Sequence, residues 1–116
     1  MNLTGKKAVV TGGGRGIGAA VARSLAAAGA AVLVAARTGS EVEDLAAELR
    51  DLGQEAWAAE CDVTDPGQIV ALAGTAAERL GTVDILVNNA GIAHSAPLKA
   101  ISLETWNRIF AVNVTG

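Results

Sequence analysis

The chain has 116 residues, of which 51% are apolar, and its formal net charge is -3. This length suits one domain, and the negative charge argues against nucleic acid as a partner, because phosphate binding needs a basic face. The single cysteine, Cys61, excludes an internal disulfide and a cysteine metal cluster. No apolar run approaches the ~18 residues of a membrane span. We therefore expect a cytoplasmic protein with no metal and no membrane contact.

Strand and helix patterns alternate along the first half of the chain. A buried strand is predicted over 7–11, a helix after the following glycines, and a second strand over 31–36. Gly29 is the expected C-terminal cap of the first helix. The apolar positions of that helix recur at spacings of four and three, which predicts an inner face of Ile17, Val21, Leu25 and Ala28.

The second half continues the alternation. Ser40 and Glu43 have the spacing of a capping box for a second helix, whose predicted apolar face is Val42, Leu45, Leu49 and Leu52. A third strand is predicted over 56–59, and Asp65 with Pro66 starts a third helix. The inner face of that helix is predicted as Ile69, Leu72, Ala76 and Leu80. A fourth strand over 85–87, a loop over 92–101 and a last helix from Ser102 follow.

The repeating strand–helix order has one simple structural solution. Parallel strands joined by right-handed crossovers, with helices on both faces of the sheet, bury such a pattern. The fold class is therefore predicted as α/β with a doubly wound parallel sheet. We also expect a homo-oligomer.

The stretch from Thr11 to Gly18 joins the first strand to the first helix. The first N–H groups of a helix have no partner in the helix and lie at the positive end of its dipole. Glycines let the backbone approach a phosphate closely. Gly12, Gly16 and Gly18 give G-x-x-x-G-x-G, which is neither the G-x-G-x-x-G fingerprint nor a P-loop. An anion site is predicted here, with an ordinary tight turn as the alternative.

Two arginines bear on which dinucleotide a doubly wound sheet of this kind would bind at the glycine turn. A site for NAD places Asp or Glu about 20 residues past the glycines to accept from the ribose 2′-OH. That region is Ala36-Arg37-Thr38, without an acid. An arginine fork suits a 2′-phosphate instead, and Arg15 lies in the turn that faces it. The prediction is NADP(H) rather than NAD(H), with a solvated Arg37 as the alternative.

Four motifs occur together: T-G-x-x-x-G-I-G over 11–18, Asp62-Val63, N-N-A-G over 88–91 and N-V-x-G over 113–116. In this order and spacing the chain resembles the N-terminal half of a short-chain dehydrogenase/reductase, near the 3-oxoacyl-acyl-carrier-protein reductase type. The resemblance implies a Rossmann-like sheet, truncated after the fourth strand and the following helix. It implies one NADP(H)-binding domain over 1–116, incomplete because its C-terminal catalytic part is absent.

The implied reaction is hydride transfer between a nicotinamide and a small-molecule carbonyl or alcohol substrate. The alternative is a stand-alone nucleotide-binding or regulatory module without catalysis. The family's catalytic Ser, Tyr and Lys have no counterpart here, and the chain contains no Tyr. In the family the Tyr is the acid or base toward the substrate, and the Lys lowers its pKa. We therefore expect the 116 residues alone to be inactive.

The resemblance also implies roles for single residues. The cofactor-binding set is Gly12, Gly14, Arg15, Gly16, Ile17, Gly18, Arg37, Asp62, Val63, Asn88, Ala90 and Gly91. Asp62 would accept from the adenine amino group while Val63 lies against the ring. Asn113 would be catalytic by helping to place a water in a proton relay. Helix capping by Asp62, turn formation by Asn88 and Asn89, and a helix–strand bridge by Asn113 stay open as alternatives.

Overall fold

The computed structural model describes residues 2–88. The elements are β1 (Lys7–Thr11), α1 (Gly16–Ala27), β2 (Ala31–Ala36), α2 (Gly39–Asp51), β3 (Ala56–Glu60), α3 (Pro66–Leu80) and β4 (Ile85–Asn88). The predicted alternation of strands and helices is confirmed over this range. The loop over 92–101, the helix from Ser102 and the site residues Ala90, Gly91 and Asn113 lie outside the described residues.

The four strands form one parallel sheet in the order β3-β2-β1-β4. The chain returns past β1 between β3 and β4, so right-handed crossovers put α3 on the opposite face from α1 and α2. Two separate cores show this division. Val9 of β1 packs into the core under α3, and its neighbour Val10 packs into the core under α1 and α2. The central positions of the strands are apolar because both faces of the sheet are covered, and the Rossmann-like prediction is confirmed.

The predicted inner face of α1 is wrong. The helix buries Gly18, Ala19, Ala22 and Ala26. Ile17 is 74% exposed, and Val21 and Leu25 are only half-buried. Small side chains let a helix lie close to a sheet, and these four small residues supply that contact. A search for large apolar residues at helical spacing therefore selects the flank of α1 instead of its contact face.

The capping box predicted for α2 is also wrong. The helix starts after Thr38 rather than after Ser40, and Thr38 makes no side-chain capping bond. Thr38 and Glu41 have the capping-box spacing in the observed register. The Glu41 carboxylate pairs instead with Arg15. The first turn of α2 thus has a contact with the glycine turn and no side-chain cap of its own.

The far end of α2 departs from the pattern at one position. Three of the four predicted apolar residues, Val42, Leu45 and Leu49, are buried. Leu52 is 68% exposed. The helix ends at Asp51 and the chain turns at Gly53, whose φ is +81°. Leu52 therefore lies in a turn, where helical spacing no longer places it over the core.

Helix α3 follows its prediction closely. Its inner face of Ile69, Leu72, Ala76 and Leu80 is buried. Asp65 is the N-cap: its Oδ1 accepts from the backbone N–H of Gly67 at 2.9 Å and of Gln68 at 3.4 Å. Pro66 occupies the first helical position, where its missing N–H costs nothing.

Replacing Asp65 by Ala should lower the free energy of unfolding by about 1 kcal/mol, because two N–H groups of the first turn of α3 lose their acceptor. Asp65→Asn keeps an acceptor oxygen and should stay close to the wild type. Urea unfolding of the three proteins measures the effect. Equal losses in both variants would mean that the charge, and not the cap, stabilises α3.

Candidate functional site

The predicted site residues gather at one edge of the sheet. The glycine turn follows β1, Arg37 follows β2, Asp62 and Val63 follow β3, and Asn88 ends β4. Parallel strands bring their carboxyl ends to the same edge, and ligands of open α/β sheets bind there. The order β2-β1-β4 puts the glycine turn between Arg37 and Asn88.

The glycine turn lies directly against β2 and the start of α2. A Cβ on Gly13 would stand 3.2 Å from Cβ of Val34. A Cβ on Gly14 would stand 3.0 Å from Cβ of Glu41 and 3.6 Å from Cβ of Ala36. These positions leave little space for any side chain. Gly13 was not among the predicted site residues, and its buried contact with Val34 shows that it positions the turn.

The N-terminus of α1 has the features of an anion-binding site. Its N-cap, Arg15, makes no side-chain capping bond, and the first turn carries no acid. Gly16 has a φ of +63°, and a Cβ built on it would meet nothing within 4 Å. Ile17 is 74% exposed beside this space. The first N–H groups of the helix therefore have no side-chain acceptor, and the space beside Gly16 is open.

Arg15 and Arg37 each follow directly, in the chain, a residue of the contact between Gly14 and Ala36. Both are exposed. Nη1 of Arg15 lies 3.8 Å from Oε2 of Glu41, and the Arg15 side chain remains 85% exposed. The interpretation that no acid lies near these arginines holds for residues 36–38 but not for the folded site, because α2 brings Glu41 into it.

A second carboxylate lies at the start of α2. Oε1 of Glu60, the last residue of β3, would be 2.6 Å from a Cβ on Gly39. Glu60 therefore supplies negative charge beside the first turn of a helix that has no side-chain cap. This edge of the sheet carries more negative charge than the sequence pattern around 36–38 indicates.

Thr11 and Asn88 join β1 to β4 at the site. Their backbones are paired across the two strands. Oγ1 of the buried Thr11 donates to Oδ1 of Asn88 at 2.8 Å. The bond orients the Asn88 amide and leaves its NH₂ group without a partner among residues 2–88. Asn88 therefore has a structural contact beyond turn formation, and sequence reasoning had given Thr11 no such part.

Asp62 organises the turn from β3 into α3. Its Oδ1 accepts two hydrogen bonds from Thr64, one from the backbone N–H at 2.9 Å and one from the Oγ1 hydroxyl at 2.6 Å. Its own N–H donates to Oε1 of Gln68 at 2.8 Å. Asp65, not Asp62, caps the helix. Val63 is only 7% exposed because it packs into the core under α3.

Cys61 is a buried residue of the same core, 2% exposed, as predicted. Burial raises the pKa of its thiol from 9.0 to about 11, and the carboxylates of Asp62 and Asp65 add to the shift. Its Sγ donates weakly to the carbonyl of Gln68 at 3.6 Å. A protonated thiol of this kind is a poor nucleophile.

Metal-ligand clusters and membrane-spanning helices are both absent from residues 2–88. Among residues 2–88, no three His, Cys, Asp or Glu side chains are grouped so that they could hold a metal ion. No helix in this range is both long enough and apolar enough to cross a membrane.

Sequence comparison finds one family over almost the whole chain. A family model described as short chain dehydrogenase matches residues 6–116. The cis-4-hydroxycyclohexanecarboxylate dehydrogenase of Sinomonas cyclohexanicum is 44% identical over 110 residues, which are 94% of this chain and 44% of that protein. The chain thus spans less than half the length of this curated relative.

Solved structures share the fold. A short chain dehydrogenase from Burkholderia cenocepacia J2315, in complex with NADP, aligns with a TM-score of 0.74 at 44% identity over 79% of this chain and 38% of that one. A 7α-hydroxysteroid dehydrogenase complexed with NADH and 7-oxo glycochenodeoxycholic acid aligns with a TM-score of 0.76 at 32% identity, over 95% of this chain and 48% of that one. The similar structures therefore include both nicotinamide cofactors.

Cys61 should react slowly with iodoacetamide in the folded protein. At pH 8.5 a thiol of pKa about 11 carries roughly 100-fold less thiolate than a free cysteine. The folded state holds this proton more tightly than the unfolded state. The stabilisation that comes from the protonated, buried thiol is therefore fully present below about pH 9 and is lost as the pH rises through about 11.

Alkylation followed by mass spectrometry, in the native protein and in urea, measures the reactivity of Cys61. Equal rates under the two conditions would contradict the burial of the thiol.

Proposed function

The chain belongs to the short-chain dehydrogenase family, and from this premise we propose that it forms the cofactor-binding part of an NADP(H)-dependent oxidoreductase. The bound nicotinamide supplies the hydride that passes to or from a carbonyl or alcohol substrate. The residues of this chain bind and orient the cofactor. The observation that carries the proposal is the uncapped N-terminus of α1 behind a glycine turn, at the carboxyl edge of the sheet.

We assign the phosphates of the cofactor to the glycine turn. The N–H groups of Gly16, Ile17 and Gly18 start α1 without a capping side chain, and the space beside Gly16 is open. Gly12 adopts a φ of +67° to turn the chain into this cradle. Negative charge at this position gains from the helix dipole and from direct hydrogen bonds. An exposed Ile17 covers the phosphates from the side of the solvent.

We assign the adenosine to the ends of β2, β3 and β4. Asp62 would accept from the adenine amino group while it holds its own turn, and the backbone of Val63 would lie beside the ring. Asn88, oriented by Thr11, still has an NH₂ group that can donate to a ribose hydroxyl. Beyond the described residues, the resemblance assigns Ala90 and Gly91 to the same site.

The preference for NADP(H) rests on the two arginines. The glycine turn packs against Ala36, and we propose that Arg15 and Arg37, which follow the two contacting residues in the chain, bind a ribose 2′-phosphate there. Ala36 offers no carboxylate to the two hydroxyls of an NAD ribose. The NADP in the Burkholderia structure supports this choice, whereas the NADH in the hydroxysteroid dehydrogenase supports the other.

The catalytic step is proposed to use residues beyond this sequence. Asn113 resembles the family's catalytic Asn, and the Ser, Tyr and Lys of the family are not among the 116 residues. Proton transfer by a positioned acid contributes about 10²–10⁴-fold to such reactions. We therefore propose that residues 1–116 form one incomplete domain without turnover of their own.

We also propose a homo-oligomer in the cytoplasm. Within residues 2–88, β4 has a neighbour on one side only, namely β1. Its free edge carries backbone groups that can pair with another strand. A single buried thiol suits a reducing compartment.

Replacing Arg37 by Ala should weaken NADPH binding about tenfold and leave NADH binding nearly unchanged. A charge-assisted bond to an exposed phosphate contributes about 1.5 kcal/mol, which is one decade in affinity. Calorimetric titration of both cofactors measures the two constants. Raising the salt concentration should reduce the difference, because part of it is Coulombic.

Arg79→Ala is the matched control. Arg79 lies in the last turn of α3, and α3 runs back to the opposite edge of the sheet, so this variant loses the same charge away from the site. It should bind NADPH like the wild type. Equal losses in both variants, or an Arg37→Ala protein that loses NADH as well, would show that Arg37 does not bind the 2′-phosphate.

A further inference from the structure

Glu41 is an acid inside the proposed ribose site that the sequence pattern does not reveal. It lies in the first turn of α2, and a Cβ on Gly14 would be 3.2 Å from its Oε1 as well as 3.0 Å from its Cβ. Its other carboxylate oxygen lies 3.8 Å from Nη1 of Arg15. The Glu41 side chain is about one third exposed, and that of Arg15 is 85% exposed.

The position of Glu41 is held by packing more than by its ion pair. Its Cβ lies against the backbone of the glycine turn, so the side chain starts beside the turn, and Oε1 also lies close to Gly14. An ion pair with so exposed an arginine is weak. Arg15 can therefore leave Glu41 for a better partner, whereas Glu41 remains beside the site.

A 2′-phosphate would change the balance at Arg15. The phosphate carries more charge than the carboxylate and can accept two parallel bonds from the guanidinium. Arg15 cannot give both partners its full set of donors. A dianion beside Arg15 would also experience repulsion from Glu41, which an uncharged ribose hydroxyl would not.

We propose that Glu41 is a specificity-determining residue, which competes with the 2′-phosphate for Arg15 and lowers the preference for the phosphorylated cofactor. This inference rests on the proposed cofactor site. Arg37 attracts the phosphate and Glu41 opposes it, so the preference of the protein is smaller than the two arginines alone would produce. Removing the charge of Glu41 should therefore raise the preference.

The test uses two probes that contact only the adenosine part of the site: adenosine 2′,5′-bisphosphate and adenosine 5′-monophosphate. The quantity is the ratio of their affinities, measured by calorimetry at low salt. Glu41→Gln keeps the size and packing of the side chain and should raise the ratio about two- to fivefold, the size of one solvent-exposed charge interaction. The gain should shrink as salt is added.

Two further variants separate the competition from other causes. Glu43→Gln removes the same charge from an exposed position two residues along α2, which faces away from Glu41, and should leave the ratio unchanged. In an Arg15→Gln background, Glu41→Gln should give a clearly smaller gain, because no ion pair remains to be released. Circular dichroism of each variant checks that α2 is intact.

The outcomes are distinct. A ratio that does not change, an equal rise in Glu43→Gln, or an equal gain without Arg15 would overturn the competition. A fall in the affinity for the monophosphate would overturn it too, since Glu41 would then bind the ribose hydroxyls. A wild-type protein that binds neither probe would refute the proposed function itself, and this result differs from all the others.

Discussion

The close approach of the glycine turn to β2 is the contact on which the rest of the site depends. The N–H of Gly13 donates to the carbonyl of Ala35 at 3.1 Å, and a side chain on Gly13 would press on Val34. Gly12 and Gly16 adopt positive φ on either side of it. The turn therefore follows β1 without leaving the sheet, and α1 starts at the carboxyl edge with its first N–H groups exposed.

The helices of this fold differ in how their N-termini are satisfied, and the difference follows their use. Asp65 caps α3 with its own side chain. No side chain caps α1, whose N-terminus lies in the open space beside Gly16. At the N-terminus of α2 the negative charge comes from two residues: Glu41 in the first turn of the helix and Glu60 at the end of β3. Neither α1 nor α2 has a side-chain cap, but only α2 carries an acid in its first turn, which leaves the N-terminus of α1 the better match for an added anion.

The fold could be predicted from the sequence to a large extent, because its signals are local. Apolar runs, glycine stops and the Asp65-Pro66 start are written in consecutive residues, and each of them holds in the structure. The inner face of α1 could not be predicted from large apolar residues, since the sheet selects Ala22 and Ala26 for their size. The start of α2 follows Thr38, two residues before the Ser40 that the capping-box spacing selects, and Glu41 of its first turn pairs with Arg15, 26 positions away in the sequence.

The same limit applies to the site. The glycine turn and the two arginines follow from spacing along the chain. Glu41 does not, because a search for an acid directly after β2 stops at residue 38. Only the packing of α2 against Gly14 brings that carboxylate to the turn. The charge balance at a site formed by several elements depends on the fold. A motif alone therefore predicts the class of ligand better than it predicts how strongly the site prefers one ligand over another.

The most direct measurement is a ¹H–¹⁵N correlation spectrum of the protein during titration with adenosine 2′,5′-bisphosphate. Glycine amides mark both edges of the sheet: those over 12–18 lie at the carboxyl edge, and Gly29, Gly53 and Gly81 precede strands at the other. We expect saturable shifts of the amide signals of residues 12–18 and of Arg37, and no shift of the signals of the three distant glycines. Shifts confined to the opposite edge, or none at millimolar ligand, would contradict it.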